Sequence, residues 1–212
     1  MGDFFEAPRP RDEPPRYRTP EWAGPPEGTL PGVVPVERVL ARTEMVAVCI
    51  TRIAAYPTGF VFDVVTLTHR PDPEIDPLLF EQNRLVHRPA KPEIPPELLR
   101  FGVQFADGSK ATNVGARDIP QGRRNPIGPV MMGRGGGGGG GRWTQTQWVW
   151  PLPPPGPVAF VCEWPALEVP LTRVEFDAQV ILDAADRAQV IFSQDDLPEP
   201  PDDGGTAITV VG

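Results

Sequence analysis

Residues 45–68 read MVAVCITRIAAYPTGFVFDVVTLT, two apolar runs that flank a short turn. Alternate positions of both runs carry large apolar side chains: Val46, Val48, Ile50, Phe60, Phe62 and Val64. A period of two is typical of β-strands that bury one face. In the intervening Tyr56-Pro57-Thr58-Gly59, Pro57 presets the backbone of a type I turn and Gly59 suits a left-handed position. The segment therefore predicts an antiparallel hairpin.

The same alternation recurs in shorter runs along the rest of the chain. They are Val33–Leu40, Leu98–Phe105, Ser109–Val114, Trp143–Pro151, Val158–Trp164 and Leu171–Phe176. Pro35 confines the first run to a sheet edge, because proline cannot donate to the ladder. Ala106-Asp107-Gly108 predicts a second hairpin turn with glycine in the left-handed position. Many short strands predict a mostly β fold, an antiparallel two-sheet β-sandwich that is immunoglobulin-like in general architecture.

Helical signals are few. Asp76–Phe80 is compatible with the start of a short helix, with Asp76 as cap and Pro77 in the first turn. Near the C-terminal side of the domain, apolar side chains at helical spacing predict one short helix over Val180–Val190. These side chains are Ile181, Ala184, Ala185 and Ala188.

Proline and glycine define the expected domain limits. The chain has 30 Pro and 22 Gly among 212 residues, concentrated between the strands and at both ends. We expect a disordered Pro-rich tail over 1–28, one β-sandwich domain over 29–193, and an acidic Pro/Gly-rich tail over 194–212. Seven consecutive glycines, Gly135–Gly141, predict a flexible Gly-rich loop over 115–142, because glycine has the largest backbone entropy.

Charge and cysteine content narrow the class of protein. The formal net charge is −8, which argues against binding to a phosphate backbone. The arginines at 117, 123, 124, 134 and 142 are interpreted as a solvated loop, with a nucleic-acid contact as the minor alternative. No signal peptide or membrane span is recognisable, so we expect a cytoplasmic protein without membrane contacts. Cys49 and Cys162 are then two buried free thiols, or one disulfide if the protein is exported.

The sequence contains no recognisable catalytic, cofactor-binding or metal-binding constellation. We therefore predict no catalytic residues, no cofactor and no metal ligands. Asp63 and Glu163 each lie mid-strand opposite apolar positions, and on one sheet they would share a face. The ordinary wet face of a sandwich is the favoured interpretation, and a carboxylate pair for glycoside chemistry is the alternative. Trp148 and Trp150 complete this candidate ligand face, as core residues or as a sugar-stacking platform.

Three functions follow, in order of preference. The first is a non-enzymatic protein-interaction or accessory module whose partner is another protein. Its candidate contacts are Trp22 in the N-terminal tail and Ile208, Val210 and Val211, which are suited to adding a strand to an exposed sheet edge. For Trp22, docking on its own domain is slightly favoured over a partner contact. The second is a β-sandwich that binds a small ligand or carbohydrate, and the remote third is a hydrolase that uses Asp63 and Glu163.

Several short motifs lie between residues 30 and 190: Gly32–Pro35, Ala55–Phe60, Leu99–Val103, Trp148–Pro157 and Glu163–Pro165. Together they resemble a group of actinobacterial hypothetical proteins. The resemblance implies a shared fold and a bacterial cytoplasmic setting. It implies no function, because none is assigned to that group.

Overall fold

The computed structural model describes residues 17–70, 73–86, 93–114, 126–194 and 197–198. Its strands form a six-stranded sheet, a four-stranded sheet and a two-stranded ribbon, all antiparallel. Two helices complete the architecture. The prediction of a mostly β, sandwich-like fold is confirmed.

The six-stranded sheet is built on the predicted hairpin. Its strands are β2 (Gly32–Val34), β3 (Arg38–Arg42), β4 (Val46–Ala55), β5 (Phe60–Thr68), β8 (Val130–Gly139) and β9 (Arg142–Trp150). The order is β2-β4-β5-β9-β8, and β3 pairs with β4 beside β2. Pro35 lies between β2 and β3, so the single edge strand predicted over Val33–Leu40 is divided into two.

The four-stranded sheet has the order β11-β10-β6-β7. Its strands are β6 (Arg100–Gln104), β7 (Lys110–Thr112), β10 (Pro157–Trp164) and β11 (Val169–Asp177). The ribbon pairs β1 (Thr29–Leu30) with β12 (Gln189–Val190). The helices are α1 (Ile75–Val86) and α2 (Gln179–Ala185).

The main core lies between the six-stranded sheet and the four-stranded sheet and is rich in phenylalanine. The Phe62 ring stands edge-to-face against Phe160 at 5.1 Å and against Phe101 at 6.4 Å, measured between ring centroids. Phe60 contacts the same Phe160 ring at 6.4 Å. Each such pair contributes about 1 kcal/mol beyond the burial of its apolar area. These contacts join β5 of one sheet to β6 and β10 of the other, which defines the sandwich.

Two buried amides hold the loops around this core. The Gln82 side chain donates to the carbonyls of Leu78 and Glu97 and accepts from the Leu99 amide at 2.8 Å. Asn113 accepts from the Phe101 amide and donates to the Leu99 carbonyl. Buried amide groups are costly without partners, so these bonds fix α1 and the end of β7 against β6.

Both predicted hairpins are present. In the first, the Tyr56 amide donates to the Gly59 carbonyl at 2.8 Å. Gly59 is not in the left-handed region, so that detail of the prediction is wrong. Glycine is needed there for space, because a Cβ would lie within 2.7 Å of the Trp148 ring. Gly108 has φ +85°, as predicted for the second turn.

The ends of the domain differ from the expectation. Residues 17–28 of the predicted disordered tail include turns and a buried tryptophan, so the tail prediction is wrong there. Residues 1–16 lie outside the described part. The C-terminal helix ends at Ala185 rather than Val190, because Gln189 and Val190 pair with β1 instead. A further helix, α1, has twelve residues, longer than the short one that Asp76–Phe80 indicated.

Candidate functional site

The glycine run forms the second half of strand β8 and the turn of a β-hairpin. β8 pairs with β9 from Val130 opposite Trp150 to Gly139 opposite Arg142. Gly140 and Gly141 form the two-residue turn with φ of +60° and +83°, the pattern of a type I′ turn. The prediction of a flexible loop is therefore wrong for residues 130–142. Residues 115–125 of that loop lie outside the described part.

β8 is an edge strand of the six-stranded sheet, called the large sheet from here on. Its far edge pairs with no strand among the residues that the structure describes, and residues 133–139 are exposed. An edge strand presents unpaired amide and carbonyl groups that another chain can bind. Gly135–Gly139 adds no side chain to either face of this edge.

Local geometry explains some of these glycines and leaves others unexplained. A Cβ on Gly136 would lie 2.6 Å from the Thr144 carbonyl oxygen, and a Cβ on Gly138 would collide with the Arg142 carbonyl. By contrast, a Cβ on Gly137 or Gly139 would meet nothing within 4 Å, and neither residue has a positive φ. Glycine in a strand costs about 0.5–1 kcal/mol relative to alanine. Glycine within a strand often marks a bulge, a tight bend or a site where a ligand or another backbone approaches closely.

A bulge at Arg134 begins the glycine edge. The β8–β9 register shifts between Gly133 and Gly135, and Gly135 has φ +121°. The Nη1 atom of Arg134 donates to the Ala23 carbonyl oxygen at 3.3 Å. The same guanidinium lies 3.0 Å from where a Cβ on Gly24 would stand. The N-terminal segment, which contains Ala23 and Gly24, is thereby attached to β8 just before the exposed glycines Gly135–Gly139.

Trp22 is part of this attachment. It is 5% exposed and packs with Ala23 against Val130, Met132 and Trp150 on the outer face of the large sheet. Trp22 docks on its own domain, as the sequence slightly favoured, so its prediction as a candidate partner contact is wrong. The apolar outer positions of β8 and β9 are the reason, because they give the indole a surface to cover.

Three of the four predicted ligand-face residues share that outer face. Asp63 pairs opposite Thr146, and Val61 pairs opposite Trp148. Asp63 accepts hydrogen bonds from Arg52 Nε at 2.8 Å and from Thr146 Oγ1 at 2.7 Å. Trp148 is fully buried, with Tyr56 edge-to-face at 5.8 Å, so it cannot stack on a sugar.

Glu163 lies on the other sheet, so the predicted shared face is wrong. Asp63 is on β5 of the six-stranded sheet, whereas Glu163 is on β10 of the four-stranded sheet. The Glu163 carboxylate accepts from Arg100 Nη1 at 2.7 Å. Each carboxylate therefore pairs with its own arginine. The structure does not bring the two together as an acid and base.

Glu163 instead borders a groove on the outer face of the four-stranded sheet, called the small sheet from here on. The groove has a volume of about 410 Å³ and an apolar floor that includes Val161 and Leu171. Arg100, Arg173 and Lys110 lie around it. Arg173 donates to Gln104 at 2.6 Å and to Glu175 at 2.9 Å. An apolar floor with a few charged groups suits a small amphipathic ligand.

A smaller cavity of about 370 Å³ lies beside Trp150, the fourth predicted ligand-face residue. Trp150, cis-Pro151 and Pro153 line one side, and Asp107 and Ser109 line the other. Hydrogen bonds from Ser109 lower the pKa of the Asp107 carboxyl below its ordinary value. These bonds also close the β6–β7 turn, so they have a structural role.

The remaining predicted contacts, Ile208, Val210 and Val211, lie outside the described residues. Across the described ranges there is no cluster of three histidine, cysteine or acidic side chains that could hold a metal ion. None of the helices described there is long and apolar enough to cross a membrane. Both cysteines are free thiols; Cys162 is buried and Cys49 is half-buried. Comparison with protein-family models, curated proteins and solved structures finds no match.

Proposed function

We propose that this protein is a non-enzymatic interaction module that binds an extended segment of a partner protein along the edge of β8. The observation that carries the proposal is the exposed, side-chain-free edge Gly135–Gly139. A partner strand would form main-chain hydrogen bonds with β8, as in other cases of strand addition.

The glycines of β8 would also determine which partner segments bind, because they leave room for bulky side chains on the partner strand. Directly opposite side chains in an antiparallel pair lie about 5 Å apart, and their packing stabilises the sheet. On β8 the Cβ positions of Gly137 and Gly139 are open. A partner with β-branched or aromatic side chains has room to place them over these glycines. The proposal therefore favours a bulky, β-prone partner segment.

Two other sheet edges, those of β2 and β11, are protected, which favours β8 over them. At the opposite end of the large sheet, α2 packs against β2 and Arg187 donates to the Val33 carbonyl at 3.0 Å. β11 carries Pro170, Arg173 and Glu175, and proline and charges are the usual means of blocking edge pairing. Beyond the bulge at its start, Gly135–Gly139 carries neither proline nor a charged side chain.

A peptide-display selection on the purified full chain tests the proposal. We expect enrichment of extended segments with alternating β-branched or aromatic residues. Gly137→Lys should weaken their binding at least about tenfold, because a charge at an edge opposes pairing. Gly137→Ala is the matched control and should bind like the wild type. Absence of enriched peptides, or equal binding to Gly137→Lys, would contradict the proposal.

A second candidate function rests on the groove of the small sheet. Its apolar floor and the nearby Arg173 and Lys110 support binding of a small ligand with an apolar body and an anionic head. Calorimetric titration with decanoate, and with decylamine as control, tests this function. Binding of decanoate that is lost in Arg173→Gln supports it, and equal heats for both ligands count against it.

A further inference from the structure

We propose that the cavity beside Trp150 is a further binding site, which takes the guanidinium group of an organic cation. The cavity has a volume of about 370 Å³, and it shares no lining residue with the groove of the small sheet or with Gly135–Gly139. A cavity of this size suits a small ligand. The class of ligand follows from the charge, the hydrogen-bond acceptors and the apolar wall of the cavity.

The charge of the cavity is negative. Asp107 is the only charged residue among those described around it, and no lysine, arginine or histidine there neutralises the carboxylate. Hydrogen bonds from Ser109 lower the pKa of the Asp107 carboxyl, so it is ionised at neutral pH. The groove of the small sheet differs in this respect, because Lys110 and Arg173 border it. The cavity therefore favours a cation.

Asp107 and Ser109 retain free hydrogen-bond acceptors. The Ser109 amide at 2.9 Å and the Ser109 hydroxyl at 2.6 Å both donate to the same oxygen, Asp107 Oδ1. Within the described ranges, Asp107 Oδ2 accepts no hydrogen bond from another side chain. The hydroxyl of Ser109 gives its proton to Asp107 and keeps its own lone pairs for a donor. Two neighbouring acceptors suit a cation with at least two N–H groups.

The apolar wall favours a guanidinium over an ammonium group. Trp150, Pro151 and Pro153 form the side of the cavity that faces Asp107 and Ser109. A guanidinium is planar and stacks on aromatic rings. It is also more weakly hydrated than an ammonium, so it loses less hydration free energy in an apolar cavity. A guanidinium therefore suits both sides of the cavity.

Contacts between two loops hold these sides together. A Cβ on Gly156 would lie 2.9 Å from the Ala106 Cβ, so the Pro-rich segment after β9 passes against the β6–β7 turn. The Gly156 carbonyl accepts from the Ala178 amide at 2.8 Å, and the Phe105 amide donates to the Ser109 carbonyl at 2.9 Å. Because both sides are held by the fold, little of the binding free energy is spent on ordering them.

Nuclear magnetic resonance titration of the full chain with butylguanidine tests the proposal. We expect saturable shifts of the amides of Asp107–Ser109 and of the Trp150 indole N–H, with a dissociation constant on the order of 1 mM. Asp107→Asn should weaken binding at least about tenfold, because it keeps the acceptor Oδ1 but removes the charge. Asp186→Asn removes the same charge from an exposed residue outside the cavity, so this control should bind like the wild type.

Three further ligands test the chemical class. Butylurea, the neutral isostere, should bind at least about tenfold more weakly than butylguanidine, and butylamine should also bind more weakly. N-acetylarginine methylamide identifies the source of the group: tighter binding than butylguanidine assigns a peptide arginine, and weaker binding assigns a free guanidine compound. Equal binding of butylurea, or unchanged affinity of Asp107→Asn, would overturn the proposal. Equal binding of butylamine would overturn the assignment of a guanidinium.

Discussion

Arg134 Nη1 donates to the Ala23 carbonyl oxygen at 3.3 Å and joins the bulge of β8 to the N-terminal segment. Through this bond and the adjacent Trp22, residues 22–24 become part of the outer layer of the six-stranded sheet. The same contact places the N-terminal segment at the start of the glycine edge. Stability and the proposed binding surface therefore share one structural element.

The Trp22→Ala variant should be markedly destabilised. Trp22 is 5% exposed and packs on Val130, Met132 and Trp150. Truncating a buried tryptophan costs about 3 kcal/mol in the free energy of unfolding. Urea unfolding followed by circular dichroism measures the change. Tyr17→Ala, on the same segment but 39% exposed, should cost less than about 1 kcal/mol. Equal stability of Trp22→Ala and the wild type would refute the docking of this segment.

Two neighbouring glycines should respond in opposite ways to alanine. A Cβ at Gly138 would collide with the Arg142 carbonyl, whereas a Cβ at Gly137 meets open space. Gly138→Ala should therefore lower the melting temperature. Gly137→Ala should leave it unchanged or raise the stability by about 0.5 kcal/mol, because alanine restricts the unfolded chain. Calorimetry on both variants decides the matter, and identical melting temperatures would argue against an ordered hairpin here.

Asn113→Ala should destabilise the protein by about 3 kcal/mol, because two buried main-chain groups lose their partners. These groups are the Phe101 amide and the Leu99 carbonyl. Denaturant unfolding gives the value. Asn113→Asp is an informative comparison, because it keeps the acceptor for Phe101 but loses the donor to Leu99. A loss below about 0.5 kcal/mol for Asn113→Ala would show that the amide is not buried in this network.

Stability should fall with increasing pH above about 9 because of Cys162. Burial is the main factor that raises the pKa of its thiol above the ordinary 9.0; the hydrogen bond with Thr172 partly offsets it, and the nearby Cys49 and Glu163 raise it further. Above pH 9.0 the unfolded chain loses this proton before the folded chain does, so the free energy of unfolding decreases. Urea unfolding between pH 8 and 10 measures it. Cys162→Val should show a shallower decrease, and an unchanged slope would exclude the thiol as the cause.

Sequence patterns predict the central hairpin β4–β5 closely, but they do not predict the glycine-rich strand β8 at the edge of the same sheet. In Val46–Thr68, alternation and turn chemistry indicate the same structure, so few alternatives remain. The backbone entropy of glycine predicts a flexible loop for Gly135–Gly141, whereas the turn geometry of its last two residues predicts a hairpin. Gly140-Gly141 before the alternating Trp143–Trp150 is itself a type I′ hairpin signal. It could have identified the strand that now carries the proposed function.

The candidate site residues were harder to place because both faces of β9 are apolar. Trp143 and Val149 face the main core, while Trp148 and Trp150 face outward under the N-terminal segment. The period of two assigns these residues to two opposite faces of β9. It does not show that the outer face is covered by a segment more than a hundred residues away in the sequence. Likewise, Asp63 and Glu163 have similar positions within their strands, and only the strand order assigns them to different sheets.

The bond between Arg18 and Pro198 also has a practical consequence. It holds the two ends of the described domain next to each other. A domain that enters and leaves at neighbouring points can be grafted into a surface loop of a host protein without stretching that loop. Residues 17–198 therefore form a natural cassette for display on an unrelated scaffold.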